Sequence, residues 1–276
     1  MWRRCLLWAG LLIGGSAFAN EAVEPSPWTL EGDGVDVLWP VDIGLVGIGT
    51  TTWVLTGGLP AANPTGRSEP RGLDGLQPHW NPGALIPSDV LGHPFHFHRE
   101  FGYLNLPLLT IATTSVAGGL VSKDVEVAAV DFVLMAEAMA LSAGASSVLK
   151  AVISRPRPFT SEAFESAYPE VYTSHEVQAY FGEEEDFEAY KSFPSGHTSS
   201  AGAIYFSAAT LIGLHANDGK IGGPVFYLAQ GVALGLTVTT GILRVHYGVH
   251  HPTDVIAGGL LGGAIGVGVP LLHLRR

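Results

Sequence analysis

The stretch Arg244-Val-His-Tyr-Gly-Val-His-His-Pro-Thr-Asp254 sets a guanidinium, three imidazoles and a carboxylate within eleven residues, between two long apolar runs. Pro252 cannot sit in a helix interior, but it suits the first helical position, where no backbone N–H is needed. The spacing therefore predicts a helix that starts near Pro252 and runs into Val255-Ile-Ala-Gly-Gly-Leu260. Asp254 falls in its first turn, where the helix dipole favours a carboxylate. His250 lies four residues earlier, so Asp254 can reach back and hold one ring nitrogen. A histidine oriented by a carboxylate is a primed nucleophile or base. Arg244 offers a planar fork of donors suited to phosphate. On these residues alone, a solvated loop between two helices explains the stretch equally well.

Two further stretches break that tie: Lys150-Ala-Val-Ile-Ser-Arg-Pro-Arg157-Pro158 and Pro194-Ser195-Gly196-His197. With Arg244, His250 and Asp254 they form Lys-x6-Arg-Pro, Pro-Ser-Gly-His and Arg-x5-His-x3-Asp, in that order. The chain thus resembles the type 2 phosphatidic acid phosphatase (PAP2) superfamily, which includes lipid phosphatases, bacterial nonspecific acid phosphatases and vanadium haloperoxidases. The resemblance covers roughly residues 100 to 272. Leu243 departs from it, standing where the family usually has Ser; this removes a side-chain hydrogen bond and no charge. The implied fold is an all-α helical bundle of the PAP2/haloperoxidase type.

The resemblance also implies roles. His250 is the nucleophile that forms a phosphohistidine, Asp254 holds its ring, and His197 is the general acid and base. Lys150, Arg157, Arg244 and the backbone N–H groups of Ser195 and Gly196 bind the phosphate. His246 and His251 line or support the pocket. The implied reaction needs no metal and no cofactor. It removes a terminal phosphate from a lipid phosphate or diphosphate of the phosphatidic acid, phosphatidylglycerol phosphate or undecaprenyl diphosphate type. A soluble periplasmic acid phosphatase, a vanadium-dependent haloperoxidase and a silent lipid-binding scaffold are the alternatives.

Composition sets the compartment. With 47% hydrophobic and 14% charged residues, the chain is apolar for a soluble protein. Residues 1–19 carry Arg3-Arg4, a short apolar segment and Ala17-Phe-Ala19, the pattern of a bacterial secretory signal peptide, with an uncleaved first membrane helix as the alternative. Its removal would take away Cys5, the only cysteine, and with it any thiol chemistry. The net charge of −11 argues against nucleic acid as a partner.

Residues 20–100 read as an exported leader and connecting segment with one short apolar helix, Ile43–Leu59, and residues 101–276 as the phosphatase domain. No strand is expected. His93, His96 and His98 could bind a metal, but no Cys or carboxylate partner completes a site, so they read as a loop. Glu126–Leu149 is Ala-rich and free of Pro, a good helix that Pro156 and Pro158 must end near Ser154. Asp131 and Glu137 inside it are either functional carboxylates facing the bundle or a polar cavity, or structural ones satisfied by neighbouring helices. Residues 159–193 interleave Glu162, Glu165, Glu170, Glu176, Glu183–Asp186 and Glu188 with aromatics, and form either a rim to the pocket or a plain acidic loop.

Ser195 is a good N-cap for the run Thr198–Leu214. Gly258, Gly262 and Gly266 recur at every fourth position of the last run, a spacing that lets membrane helices pack closely. The runs 104–121, 198–214, 225–243 and 255–272 have no formal charge and approach spanning length, and 126–149 is longer. Five or six membrane-spanning helices follow. An exported N-terminus, a cytoplasmic Arg275-Arg276 tail and five spans from Leu104 place the site on the periplasmic face of a bacterial inner membrane. In that scheme Ile43–Leu59 is not a full span.

Overall fold

Six long helices carry the fold in the computed structural model, which describes residues 29–31, 34–57, 61–62, 68–69, 71–76, 106–167, 169, 187–246 and 248–275. In chain order they are α1 (Trp39–Gly57), α2 (Leu106–Ser122), α3 (Val125–Ile153), α5 (Gly196–His215), α6 (Gly223–His246) and α7 (Pro252–Leu272), with a short α4 (Glu162–Ala167) between α3 and α5. The expected apolar runs all became helices, so the chain is an all-α bundle. The signal-peptide segment, the histidines 93, 96 and 98 and most of the acidic stretch lie outside the described residues.

The helix ends follow local chemistry. Asp124 caps α3, its side chain accepting from the N–H of Glu126 at 2.9 Å, and Ser154 closes it in the left-handed conformation (φ 50°) two residues before Pro156. Ser195 is the N-cap of α5, and Pro252 takes the first position of α7.

α5 runs through the middle of the bundle, buried on nearly every side, with Ile204, Leu211 and Leu214 fully enclosed. The every-fourth-residue glycines of α7 pack on it. A Cβ on Gly258 would strike the Ser195 carbonyl, one on Gly262 the Ser199 carbonyl, and one on Gly266 the Ala203 carbonyl. These three positions set the two backbones side by side, and Gly258 does so at the level of Ser195. Among the described residues three helices, α3, α6 and α7, are long and apolar enough to cross a membrane, against the five or six expected. Their outward side chains, such as Leu228, Val232 and Leu260, are more than half exposed, which suits an apolar surrounding.

One expectation is corrected. Among the described residues there are two strands, β1 (Thr29–Glu31) and β2 (Asp36–Leu38), paired antiparallel. Part of the expected loose leader is therefore folded: Val35 and Val37 are fully buried. Gly34 (φ 82°) makes the turn and packs against Gly219 (φ 72°) in the α5–α6 connection, where a Cβ on either would clash.

α1 is not among the helices long and apolar enough to cross a membrane, but it packs along α3 through the depth of the bundle. A Cβ on Gly49 would meet the Ala140 carbonyl at 2.6 Å, and one on Gly144 the Gly49 carbonyl at 2.9 Å. The small residues that made this segment look thin for a span are the ones that let it pack so closely. Its start meets His273, just past the end of α7, through Asp42. Its end meets the opposite face, where Lys191 Nζ donates to the Gly57 carbonyl at 2.9 Å. The hairpin lies with the C-terminus: Val35 bridges Leu274, the Asp36 N–H donates to the His273 carbonyl at 2.9 Å, and Arg275 pairs with Asp36 and Glu31. The chain thus enters and leaves the described bundle at one end, and all three motifs sit at the other.

Candidate active site

Helix ends deliver the motif residues to one place. Lys150 is in the last turn of α3, Ser195 to His197 open α5, Arg244 is in the last turn of α6, and Asp254 is in the first turn of α7. Arg157 follows Pro156 in extended backbone and is buried. Its N–H donates to the Ala189 carbonyl at 2.8 Å, and its Nη1 to the Val249 carbonyl at 3.0 Å. The same Nη1 lies 3.4 Å from His250 Nε2. A guanidinium has no acceptor, so this contact needs the lone pair on Nε2 and places the ring proton of a neutral His250 on Nδ1.

His250 is 1% exposed. Burial first, and then the charges of Arg157, Arg244 and Lys150, hold it well below the ordinary imidazole range, with a Ser192 backbone contact partly opposing them. His197 is enclosed with the same set: Arg244, His250, Lys150 and Arg157 all act on it electrostatically. Gly196 stands against Lys150, where a Cβ would come 3.3 Å from Nζ, so the glycine leaves room for the ammonium at the start of α5.

Two expected details differ. Asp254 Oδ2 lies 3.6 Å from His250 Nδ1, an ion-pair separation and not a hydrogen bond. The carboxylate is instead held by Arg155 Nη1 on Oδ1 at 2.5 Å, and on Oδ2 by Ser192 Oγ at 2.5 Å and the His251 N–H at 2.9 Å. Ser195 also has another task. Its N–H donates to the Asp254 carbonyl at 3.0 Å and its hydroxyl accepts from the Thr198 hydroxyl at 3.0 Å, so that N–H is not a phosphate donor. It fastens the start of α5 to the start of α7.

Sequence reading missed the residues behind the motifs. Asp74, in the 3₁₀ turn Gly72–Leu76, accepts from the Thr253 N–H and hydroxyl, both at 3.0 Å, and from Arg155 Nη2 at 2.5 Å. Burial opposes its charge, but Thr253 and Arg155 outweigh that and hold its carboxyl below the usual range. Ser68 Oγ lies 3.0 Å from His251 Nε2, whose proton goes to the Pro156 carbonyl at 3.2 Å; His251 is therefore a support turned away from the cations. Burial pushes His251 down in pKa, with Asp254 opposing. His246 is buried at the end of α6. Arg155 and Ser192 lie within three residues of motif positions, the one signal that could have found them; Asp74 and Ser68 carry none. Asp131 is no part of the site: it pairs with His215 Nε2 at 3.0 Å at the other end of the bundle.

An apolar groove of about 750 Å³ between α5, α6 and α7 starts at this level. Val245, Pro252 and Val255, each next to or near a motif residue, line its near end, and Leu260, Phe206 and Val267 its far end. The arrangement combines an anion pocket of fixed cations, a buried and a half-buried imidazole and an apolar slot running into the bundle.

A family model described as the PAP2 superfamily matches residues 131–276. Over 87 residues the chain is 33% identical to a lipid A 1-phosphatase of Rhizobium etli, covering 32% of this chain and 32% of that protein. Over 70 residues it is 37% identical to a lipid A 1-phosphatase of Rhizobium johnstonii, covering 25% and 23%. The matched stretches thus span a third or less of these relatives. No solved structure matches the chain with significance.

Proposed function

This chain belongs to the PAP2 superfamily, and from that premise we propose that it is a membrane phosphohydrolase that removes a terminal phosphate from a lipid phosphate or diphosphate through a phosphohistidine on His250. The observation that carries this reading is the gathering of Lys150, Arg157 and Arg244 around the imidazoles of His197 and His250. Positioned charge of this kind is the main catalytic resource in phosphoryl transfer. It meets the phosphate oxygens without a metal ion.

His250 Nε2, unprotonated and facing Arg157, attacks phosphorus. The P–O bond to the leaving group breaks, its electron pair going to that oxygen, and His197 supplies the proton. A bound phosphate brings negative charge among the three cations, which favours the protonated form of His197 that this step needs. Asp254, fixed by Arg155 and Ser192, steadies the charge that builds on the His250 ring. Water then attacks phosphorus, His197 takes its proton, and the P–N bond breaks with its pair returning to Nε2.

The groove beside Val245 and Pro252 supports a lipid substrate, since an acyl chain can lie in it while the phosphate reaches the cations. The relatives are named for lipid A 1-phosphate, and we place a glycolipid phosphate of that kind in the substrate class beside phosphatidic acid, phosphatidylglycerol phosphate and undecaprenyl diphosphate. The site is assigned to the periplasmic face of a bacterial inner membrane, with the Arg275-Arg276 tail cytoplasmic. Because the hairpin lies at the tail's end of α7, it is then cytoplasmic too. A cleaved signal peptide would put it outside, so that reading and an outward-facing site exclude each other. We keep the outward-facing site.

A phosphate-release panel over those lipids and a soluble monoester tests the function. Release from at least one lipid phosphate, inhibited by vanadate, is expected. Activity that depends on added vanadate, with halide oxidation and no phosphate release, would overturn it.

A further inference from the structure

A second cluster of chemistry-bearing residues sits at the end of the bundle away from the phosphatase site. Asp42 lies in the first turn of α1, Glu137 on α3, and His273 caps the end of α7. One ligand atom from each lies within 4.8 Å of the others. α7 separates this cluster from Asp254 by its whole length, roughly 30 Å at 1.5 Å per residue.

The carboxylates are deeply enclosed, Asp42 at 1% and Glu137 at 2% exposure. Asp42 Oδ2 and Glu137 Oε2 have no hydrogen-bond partner unless one carboxyl group is protonated and donates to the other. Two buried carboxylates with orphaned oxygens facing each other are costly unless positive charge lies between them.

His273 sharpens the point. Its Nδ1 is 2.7 Å from the Val269 carbonyl, which can only accept, so Nδ1 carries a proton. The other nitrogen, Nε2, is 2.7 Å from Asp42 Oδ1 and 4.0 Å from Glu137 Oε2. In a neutral ring that nitrogen presents a lone pair to a carboxylate, so either a second ring proton or a metal ion lies between them. A histidine whose Nδ1–H is fixed on a backbone carbonyl while Nε2 points at carboxylates has the orientation of a metal ligand.

We propose that Asp42, Glu137 and His273 bind a divalent transition-metal ion of the zinc class. One imidazole and two carboxylates suit zinc, and the imidazole and small ligand number argue against calcium. Ligand atoms around a tetrahedral zinc lie roughly 3.3 Å apart, as bond lengths near 2.0 Å require. The distances from His273 Nε2, 2.7 Å to Asp42 Oδ1 and 4.0 Å to Glu137 Oε2, bracket that value. The ion joins α1, α3 and α7, and the hairpin closes over it through the Asp36 N–H on the His273 carbonyl. Its role is to fasten the two ends of the chain to the middle of the bundle.

The test uses the full chain, purified in detergent with a tag free of histidine, stripped with chelator and dialysed against zinc chloride. Elemental analysis should find about one zinc per chain, and reloading should raise the melting temperature by several degrees. Glu137→Gln and Asp42→Asn should each lose the bound zinc. A variant with His93, His96 and His98 changed to Ala should keep it. Visible absorption from cobalt(II) bound in place of zinc, displaced by added zinc, reads the same site in the unaltered chain and guards against variants that misfold. No zinc or cobalt bound by the unaltered chain overturns the proposal, as does zinc that follows His93, His96 and His98 alone. A proton shared by the two carboxylates in a metal-free protein would be the first of these outcomes.

Discussion

Arg155 Nη1 lies 2.5 Å from Asp254 Oδ1, joining the exit of α3 to the first turn of α7 across 99 positions of sequence. Its Nη2 is 2.5 Å from Asp74 Oδ2, so one guanidinium ties the site's carboxylate to the connection before α2. Arg155→Ala leaves a fully buried Asp254 charge without its strongest partner. About 2–3 kcal/mol of stability should be lost, less than for a fully buried pair because a quarter of the Arg155 side chain meets solvent. Activity should fall more than tenfold. Melting temperature and turnover of a soluble phosphomonoester check both, and an Arg155→Ala enzyme with normal turnover would remove the positioning role.

His250→Ala should abolish phosphate release while the protein stays folded. Residual activity within tenfold of the original, a barrier difference of only ~1.4 kcal/mol, would rule out the covalent role. His197→Ala should cost most on substrates with poor leaving groups, since its first task is proton donation. Equal losses on good and poor leaving groups would remove that assignment.

The pH profile should follow the cations. His250 is held well below its ordinary value of 6.5, so the acid limb of kcat/KM should lie below 6.5. Arg157→Gln removes the largest charge acting on it. The ring then protonates more easily, its pKa rises, and the acid limb should move to higher pH whatever happens to the absolute rate. Linkage has the same sign. The unfolded chain protonates this histidine below 6.5 while the folded one does not, so its contribution to stability is full above 6.5 and is lost as pH falls toward the folded value. A limb that stays in place in Arg157→Gln would contradict the electrostatic account.

The glycine seam should be steeply position-dependent. Gly262→Ala places a methyl on the Ser199 carbonyl, which is backbone and cannot turn aside. It should destabilise the protein by about 1–3 kcal/mol and lower activity by shifting Ser195 against Asp254. Gly268→Ala, on the same helix with open space around it, should be neutral or slightly stabilising. Thermal unfolding of the pair decides; equal effects would show that the seam is not what sets the spacing.

Sidedness can be read with an impermeant thiol reagent in cells whose inner membrane is intact, on a background with Cys5→Ser. Leu73→Cys, exposed on the site's face, should label. Lys220→Cys and Glu31→Cys, both at the other end, should not. The reverse pattern would put the site in the cytoplasm, and labelling of Leu73→Cys and Glu31→Cys alike would show that α1 does not cross.

The chain's own chemistry determined a good deal. Hydropathy and proline placement marked the helices from Leu106 to Leu272, because a run that must bury its backbone in apolar surroundings has few other shapes. Lys150, Arg157, His197, Arg244, His250 and Asp254 could be named because three short motifs, in order, resemble those of the PAP2 superfamily, and the glycines 258, 262 and 266 because their spacing matches the helical period. What lay beyond local reading was decided by contacts between segments far apart. Asp74 and Ser68 sit in a stretch with no pattern, and nothing nearby shows that Thr253 and His251 will meet them. Ser195 could be read as a cap, but only the packing of Gly258 brings its N–H onto the Asp254 carbonyl. α1 looked too thin to cross because its glycines lower hydropathy; their value is steric, and it exists only once Ala140 and Gly144 of α3 lie against Gly49. Asp42, Glu137 and His273 are single polar residues in three unrelated runs, made neighbours only by the fold.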